Sequence, residues 1–288
     1  MAERLRRDFV SFVESARVMY EDYWQLTRPA FRAQSPGEGY FPAQTHRAAR
    51  LKLRYLIEQK QPAALMVGDA GVGKSFLIDA FLSDLGAPAG PIATVLVPQL
   101  QPNELVGYLV RKLGDDSGLT GEPFDHSLLR WEACLETWRD AGRHPVIVID
   151  DAQTIEDRHV WQTLQLLLNY RHGDTAAFSL ILCGQPELVG QIGRCPALHD
   201  RLAFTCALQP FSLEETAGYV RHRLQLAGAS SPIFDEDAIE RIHHCTRGFP
   251  RRINRLCDFA LLVGFADQLE QIATEQVDAV AEELQLAA

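Results

Sequence analysis

The stretch that decides the fold is "AALMVGDAGVGKSFLIDAFL", Ala63 to Leu82. It reads in three parts. Ala63–Val67 is a short unbroken apolar run, the pattern of a buried strand. Gly68–Ser75, "GDAGVGKS", fits G-x-x-x-x-G-K-[ST] without deviation. A helical pattern follows over 74–85. Glycines let such a loop wrap tightly, so that its N–H groups converge on phosphate oxygens. Lys74 is placed to reach the outer phosphates and the Ser75 hydroxyl to ligate Mg²⁺. The helix start adds its positive dipole end. Gly68, Asp69, Ala70, Gly71, Val72, Gly73, Lys74, Ser75 and Phe76 are therefore expected to hold a nucleotide.

Working outward, "VIVIDDAQ", Val146 to Gln153, is a β-branched strand that runs into two carboxylates. Phosphate-loop proteins hold Mg²⁺ partly through an Asp at the end of a neighbouring strand. Asp150 is that candidate, with Ser75 as the other metal ligand. Asp151 reads in two ways: a general base for an attacking water, or a solvated or N-capping neighbour. An Asp reaches about 1.5 Å less far than a Glu, and a misplacement of that size can cost on the order of 100-fold in rate.

Strand patterns at 63–67, 92–97, 146–150, 178–183 and 203–208 alternate with helical ones at 46–60, 74–85, 103–113, 125–141 and 157–170. This alternation implies an α/β fold, a five-stranded parallel sheet covered on both faces. After Pro210 the strands stop. "SLEE" at 212–215 is a capping box, and helical patterns follow at 213–227, 235–247, 250–265 and 274–286. The first 30 residues look helical, with Leu5, Phe9, Phe12, Val13 and Ala16 at helical spacing, and 27–45 reads as a structured loop. The expected organisation is an N-terminal helix and linker at 1–45, an α/β core at 46–210 and a small all-helical domain at 211–288.

The chain has 288 residues, 47% hydrophobic and 23% charged, an ordinary globular mix. Its net charge of −10 argues against broad coating of nucleic acid. The cysteines, at 134, 183, 195, 206, 245 and 257, form no Cys-x-x-Cys pair, so buried free thiols are expected rather than zinc. No secretory h-region and no bilayer-length apolar run is present, which makes a cytoplasmic location the expectation.

Further polar positions are candidates. Gln185, in "GQPEL" after the fourth strand, could orient a water or cap a turn. Arg201, in "LHDRLAF", could stabilise phosphoryl charge or form a surface ion pair, and Arg194 is a weaker candidate for the same work. Arg251, in "RGFPRRINRLCD", stands at a helix start, with Arg252 and Arg255 read as solvated. His243–His244 reads as a helix-surface pair, "RLRR" at 4–7 as a solvated face, and Trp131, Leu135 and Trp138 as a packing face or partner groove. The aromatic segment Tyr20–Phe31 reads either as core or as the lining of a base pocket.

Together these residues resemble the AAA+ ATPases, and more closely the general secretion pathway protein A (ExeA-type) family. The stretches that carry the resemblance are "ILCGQPELVGQI", "LHDRLAFTCALQPFSLEETAGYVRHRLQLAGA" and "GFPRRINRLCDFALLVGFA". The resemblance implies ATP and Mg²⁺ as ligands, a strand order of 5-1-4-3-2 and a helical lid. It implies Walker A at 68–75, Walker B at 146–151, sensor 1 at Gln185, an arginine finger acting in trans at Arg201 and sensor 2 at Arg251. It further implies self-association into rings or filaments and a protein client in secretion or pilus machinery, with peripheral association at the inner membrane through a partner. Two alternatives stand beside an ATP-hydrolysing assembly. One is a nucleotide-gated scaffold with little hydrolysis. The other is a DNA-associated regulator of the transposition type, with Arg247, Arg251, Arg252 and Arg255 as its basic face. The family usually carries Asp-Glu where this chain carries Asp150-Asp151.

Overall fold

The computed structural model describes residues 20–32, 37, 39–85, 89–115 and 123–286. The chain divides into two compact units. Gln44–Gln209 form one, and the described residues of Met1–Ala43 and Pro210–Ala288 form the other.

The first unit opens with helix α1 (Gln44–Glu58), which buries Ala49, Leu53, Leu56 and Ile57 at helical spacing. Strand β1 (Ala63–Val67) leads through the glycine loop into α2 (Lys74–Ser83). Then come β2 (Ala89–Val95), α3 (Pro102–Lys112), α4 (Phe124–Asp140) and β3 (His144–Ile149). A 3-10 turn at Ala152–Thr154 precedes α5 (Arg158–Leu167). A short antiparallel hairpin, β4 (Arg171–His172) with β5 (Thr175–Ala176), leads to β6 (Ser179–Gly184). Helices α6 (Glu187–Gly193) and α7 (Pro196–His199) lead to β7 (Leu202–Ala207).

The main sheet has the order β2-β3-β6-β1-β7, with every pairing parallel. Counting only the strands of this sheet along the chain, the order read from the β7 edge is 5-1-4-3-2. Strands β1, β3 and β6 are buried at every residue, as strands covered on both faces must be. Strand β2 lies at an edge and carries Pro91, with its register shifted between Ala89 and Ile92. An edge strand tolerates a proline because one side of it pairs with nothing. Trp131 and Leu135 pack into the core of this unit, and Trp138 Nε1 donates to Leu113 O at 2.9 Å, so that face serves packing.

Several elements differ from the sequence expectation. The second strand ends at Val95, leaving Leu96 and Val97 beyond it and exposed. The fifth helix ends at Leu167, and the hairpin at 171–176 has no counterpart in the sequence reading.

The second unit is built on α8 (Leu213–Leu226), α9 (Glu236–Thr246), α10 (Pro250–Ala266) and α11 (Thr274–Glu283). The capping box at the start of α8 is formed: Glu215 N donates to Ser212 Oγ at 3.1 Å, and Ser212 N to Glu215 Oε2 at 3.0 Å. Residues 20–43, read from sequence as part of a separate segment, pack here where they are described. Tyr20, Trp24, Ala30 and Phe31 are core residues with Leu224, Ile242, Leu256 and Leu261. Trp24 Nε1 donates to Leu261 O at 2.9 Å and Tyr20 Oη to Asp258 Oδ1 at 2.8 Å. The aromatic segment is therefore core of this unit. The helix expected over the first 30 residues lies outside the described residues up to 19, as does "RLRR"; from Tyr20 the chain is helical only through 23. Among the described residues no helix is long and apolar enough to cross a membrane.

Candidate phosphate-binding site

The site sits where β1, β3 and β6 end. Val67 hands over to Gly68, whose N–H donates to Gly184 O at 3.2 Å. Gly71 has φ 85° and Gly73 φ 103°, backbone that side chains disfavour. Lys74, 8% exposed, is the first residue of α2. Its ammonium donates to Gly68 O at 2.7 Å and Asp69 O at 3.2 Å. These carbonyls hold it beside the loop, where phosphate oxygens could replace them as acceptors. Phe76 follows in the first turn of α2, half-buried.

Ser75 Oγ donates to Asp150 Oδ2 at 2.6 Å. Asp150 is carried to this point by β3, and its own N–H donates to Val95 O at 3.0 Å. Asp79 stands one helical turn past Ser75. Burial, and then the Asp150 carboxylate, raise its pKa. A hydroxyl and a carboxylate, with a second carboxylate pressing on the first, are hard oxygen donors of the kind Mg²⁺ takes. The residues present thus fit both a phosphate chain and the cation that accompanies it.

Asp151 is exposed and left-handed, with φ 46°. It stands at the N-cap of the 3-10 turn but its side chain makes no cap bond. Its carboxylate Oδ1 instead accepts from Gln153 Nε2 at 3.1 Å. Gln153 was not singled out by sequence. Its Oε1 accepts from Gln185 N at 3.0 Å, and its main-chain O accepts from Gln191 Nε2 at 2.9 Å. Gly184 allows this approach: a Cβ there would lie 2.5 Å from Gln153 Oε1. One amide thus joins Asp151 to the end of β6. Gln185 enters the site through its main chain.

Arg201 lies elsewhere. It immediately precedes β7, and Leu202 pairs with Ala63, the first residue of β1. The whole of β1 separates it from the glycine loop, roughly 13 Å at about 3.3 Å per residue. Its guanidinium donates to Leu168 O at 2.9 Å and to Asn169 Oδ1, beyond the C-terminal end of α5. It lines a cleft of about 260 Å³ with Lys60, Pro62, Arg171 and Asp174 among others. Arg194 is exposed at the end of α6. Arg251 is exposed in the first turn of α10, after Phe249 as N-cap and Pro250. His243 Nδ1 lies 2.9 Å from Thr216 Oγ1, and His244 pairs with Glu240 one turn away.

Comparison with known proteins gives the same class of fold. Residues 57–192 match the AAA domain family. The chain is 29% identical over 276 residues to general secretion pathway protein A of Aeromonas hydrophila. That alignment covers 92% of this chain and 48% of the relative, so the chain spans about half the length of the curated protein it matches. Among solved structures, the ORC2 protein of Aeropyrum pernix, determined as ADPNP–ADP complexes, superposes with a TM-score of 0.70. It is 16% identical, with 91% of this chain and 72% of that one covered. Cdc6p of Pyrobaculum aerophilum gives a TM-score of 0.69 at 17% identity, covering 88% of this chain and 70% of that one. Residues 57–192 thus match the AAA domain family, in a chain similar along most of its length to general secretion pathway protein A.

Proposed function

We propose that this chain is an Mg²⁺-dependent ATPase that acts by assembling with copies of itself. The observation that carries the reading is the 2.6 Å Ser75–Asp150 bond beside a glycine loop whose Gly68 and Asp69 carbonyls hold the Lys74 ammonium. Bound Mg²⁺ would supply charge neutralisation at the outer phosphates. Lys74 and the loop amides would bind those phosphates, with Ser75 and Asp150 holding the cation. Asp151 would accept a proton from the attacking water. Arg201 lies at the opposite end of β1 from its own glycine loop, so its work on a nucleotide would be done on a neighbouring copy's. Arg251 would reach the nucleotide from the helical unit, acting as a lid. By likeness to general secretion pathway protein A, the assembly would drive a protein client in secretion machinery.

A second reading has its own observation. Asp151 is short and already engaged by Gln153, as suits a nucleotide-gated switch with little turnover.

Steady-state ATP hydrolysis against protein concentration separates the two, with wild type, Asp151→Asn and Arg201→Ala side by side. The ATPase reading expects turnover that rises cooperatively with concentration and is lost in both variants. Tight ATP binding with negligible, concentration-independent turnover would establish the switch instead.

A further inference from the structure

We propose that His46 is a positioning residue for the phosphate loop, acting through the Val72–Gly73 peptide. The inference rests on the nucleotide-binding reading above and adds a residue to it.

His46 stands at the start of α1 and is 4% exposed. Its Nε2 lies 3.0 Å from Val72 O. A carbonyl only accepts, so Nε2 carries the proton and donates. Nδ1 is then the acceptor, and it faces Thr45 Oγ1 at 3.4 Å. Thr45 Oγ1 in turn lies 3.4 Å from the Gln209 N–H that it accepts, which leaves the hydroxyl proton for Nδ1. The ring is therefore held in one tautomer.

The consequence follows from peptide geometry. In a planar trans peptide the C=O and the next N–H point in opposite directions, and no described peptide is cis. Holding Val72 C=O against the ring turns Gly73 N–H away from His46. Gly73 is the N-cap of α2, and its N–H belongs to the amides that can cradle a phosphate. A Cβ at Gly73 would lie 3.2 Å from His46 Nε2. Glycine thus serves the same end twice: it permits φ 103° and lets the ring close on the loop. A peptide flip here would turn the N–H toward the ring and remove it from the phosphate side. The His46 bond opposes that flip.

The test is ADP affinity by titration calorimetry in chelator, where Ser75 and Asp150 hold no cation, for wild type, His46→Phe, His46→Gln and His46→Asn. Melting temperature without nucleotide is read for each. Phe fills the space without a donor; Gln carries its amide N–H₂ near the position of Nε2; Asn falls short of it. His46→Phe should bind ADP up to about tenfold more weakly, the scale of one hydrogen bond. Its melting temperature should stay within about 4 °C of wild type. His46→Gln should recover most of the affinity and His46→Asn should not. Equal affinity in wild type and His46→Phe overturns the proposal, as does an equal loss in Phe and Gln. A loss that tracks a fall in melting temperature across all three assigns His46 to packing and also overturns it. Wild type failing to bind ADP overturns the nucleotide reading itself, a result distinct from all of these.

Discussion

Both ends of the parallel sheet gather polar groups, buried at the N-terminal end and largely exposed around Lys74 at the other, and the two ends use them differently. At the N-terminal end, His144 Nε2 lies 2.9 Å from Ser179 Oγ, and Ser179 Oγ donates to Gln61 O at 2.7 Å. The serine proton is spent on the carbonyl, so the histidine must donate to the serine. The chain of donation ends on main chain. At the C-terminal end the bonds are provisional. Lys74 rests on loop carbonyls that phosphate oxygens can replace, and Ser75 and Asp150 hold each other where a cation can hold both. Desolvation moves pKa values in opposite directions at the two ends, and at both it disfavours the charged form. It pushes the His144 pKa down to about 4, with nearby Lys60 and His172 adding to the effect, and so keeps that end neutral. At the other end, burial and Asp150 raise the Asp79 pKa, a repulsion that a divalent cation would relieve. A candidate site is thus marked less by polarity than by polar bonds that a ligand can take over one for one.

The largest effect expected from this contrast is at Lys74. Lys74→Ala should weaken nucleotide binding by roughly 30- to 5000-fold, the scale of losing one partner of a buried charged hydrogen bond. The same change should leave the unliganded melting temperature nearly unchanged, because an ammonium held only by loop carbonyls adds little to the fold. Titration calorimetry and a thermal melt check both halves. Unchanged binding would break the assignment of the glycine loop.

Much of this contrast was legible in sequence and part of it was not, for a physical reason. The strand Ala63–Val67, the glycine loop and the start of α2 at Lys74 carry local signals, and their bounds were read directly. The second strand was misplaced because Leu96 and Val97 continue its apolar pattern although they are exposed. The strand itself starts at Ala89 and takes in Gly90 and Pro91, which an edge position accommodates. Two-residue strands such as β4 and β5 are too short to leave a period. Gln153 and His46 were missed because they act at long range. Their partners Gln185 and Val72 lie 32 and 26 residues away, and no spacing announces such pairs.

The next effect is on stability in acid. The folded His144 pKa, about 4, lies below the ordinary histidine value of 6.5. Between these values the unfolded chain binds a proton that the native chain refuses, so stability falls as pH falls. His144 contributes its full share above pH 6.5, and about 3 kcal/mol of it should be gone by pH 4. Urea denaturation at several pH values, wild type against His144→Gln, isolates this share. Equal acid sensitivity in the two proteins would show that the N-terminal end is not the neutral structural network described above.

A smaller effect is expected at the middle of that network. Ser179→Ala leaves the His144 donor and the Gln61 carbonyl without the partner they share, a cost of about 1–3 kcal/mol. It should lower the urea midpoint at neutral pH and leave nucleotide affinity alone. A variant with reduced affinity would mean that the two ends are coupled.

The smallest expected effect bears on how the provisional end works. Gln153 holds Asp151 through one amide hydrogen and the Gln185 N–H through its oxygen. Asp151 occupies a left-handed conformation that a non-glycine residue adopts only when its surroundings hold it there. If Asp151 is the proton acceptor, the amide keeps its carboxylate in one orientation. Gln153→Ala should then leave ATP affinity within about twofold and lower kcat about three- to tenfold, the scale of one hydrogen bond. Single-turnover and steady-state hydrolysis of the variant against wild type check this. A rise in kcat would carry the opposite meaning: the amide restrains Asp151, and the C-terminal end of the sheet holds its nucleotide as a switch, hydrolysing only when Gln153 lets go.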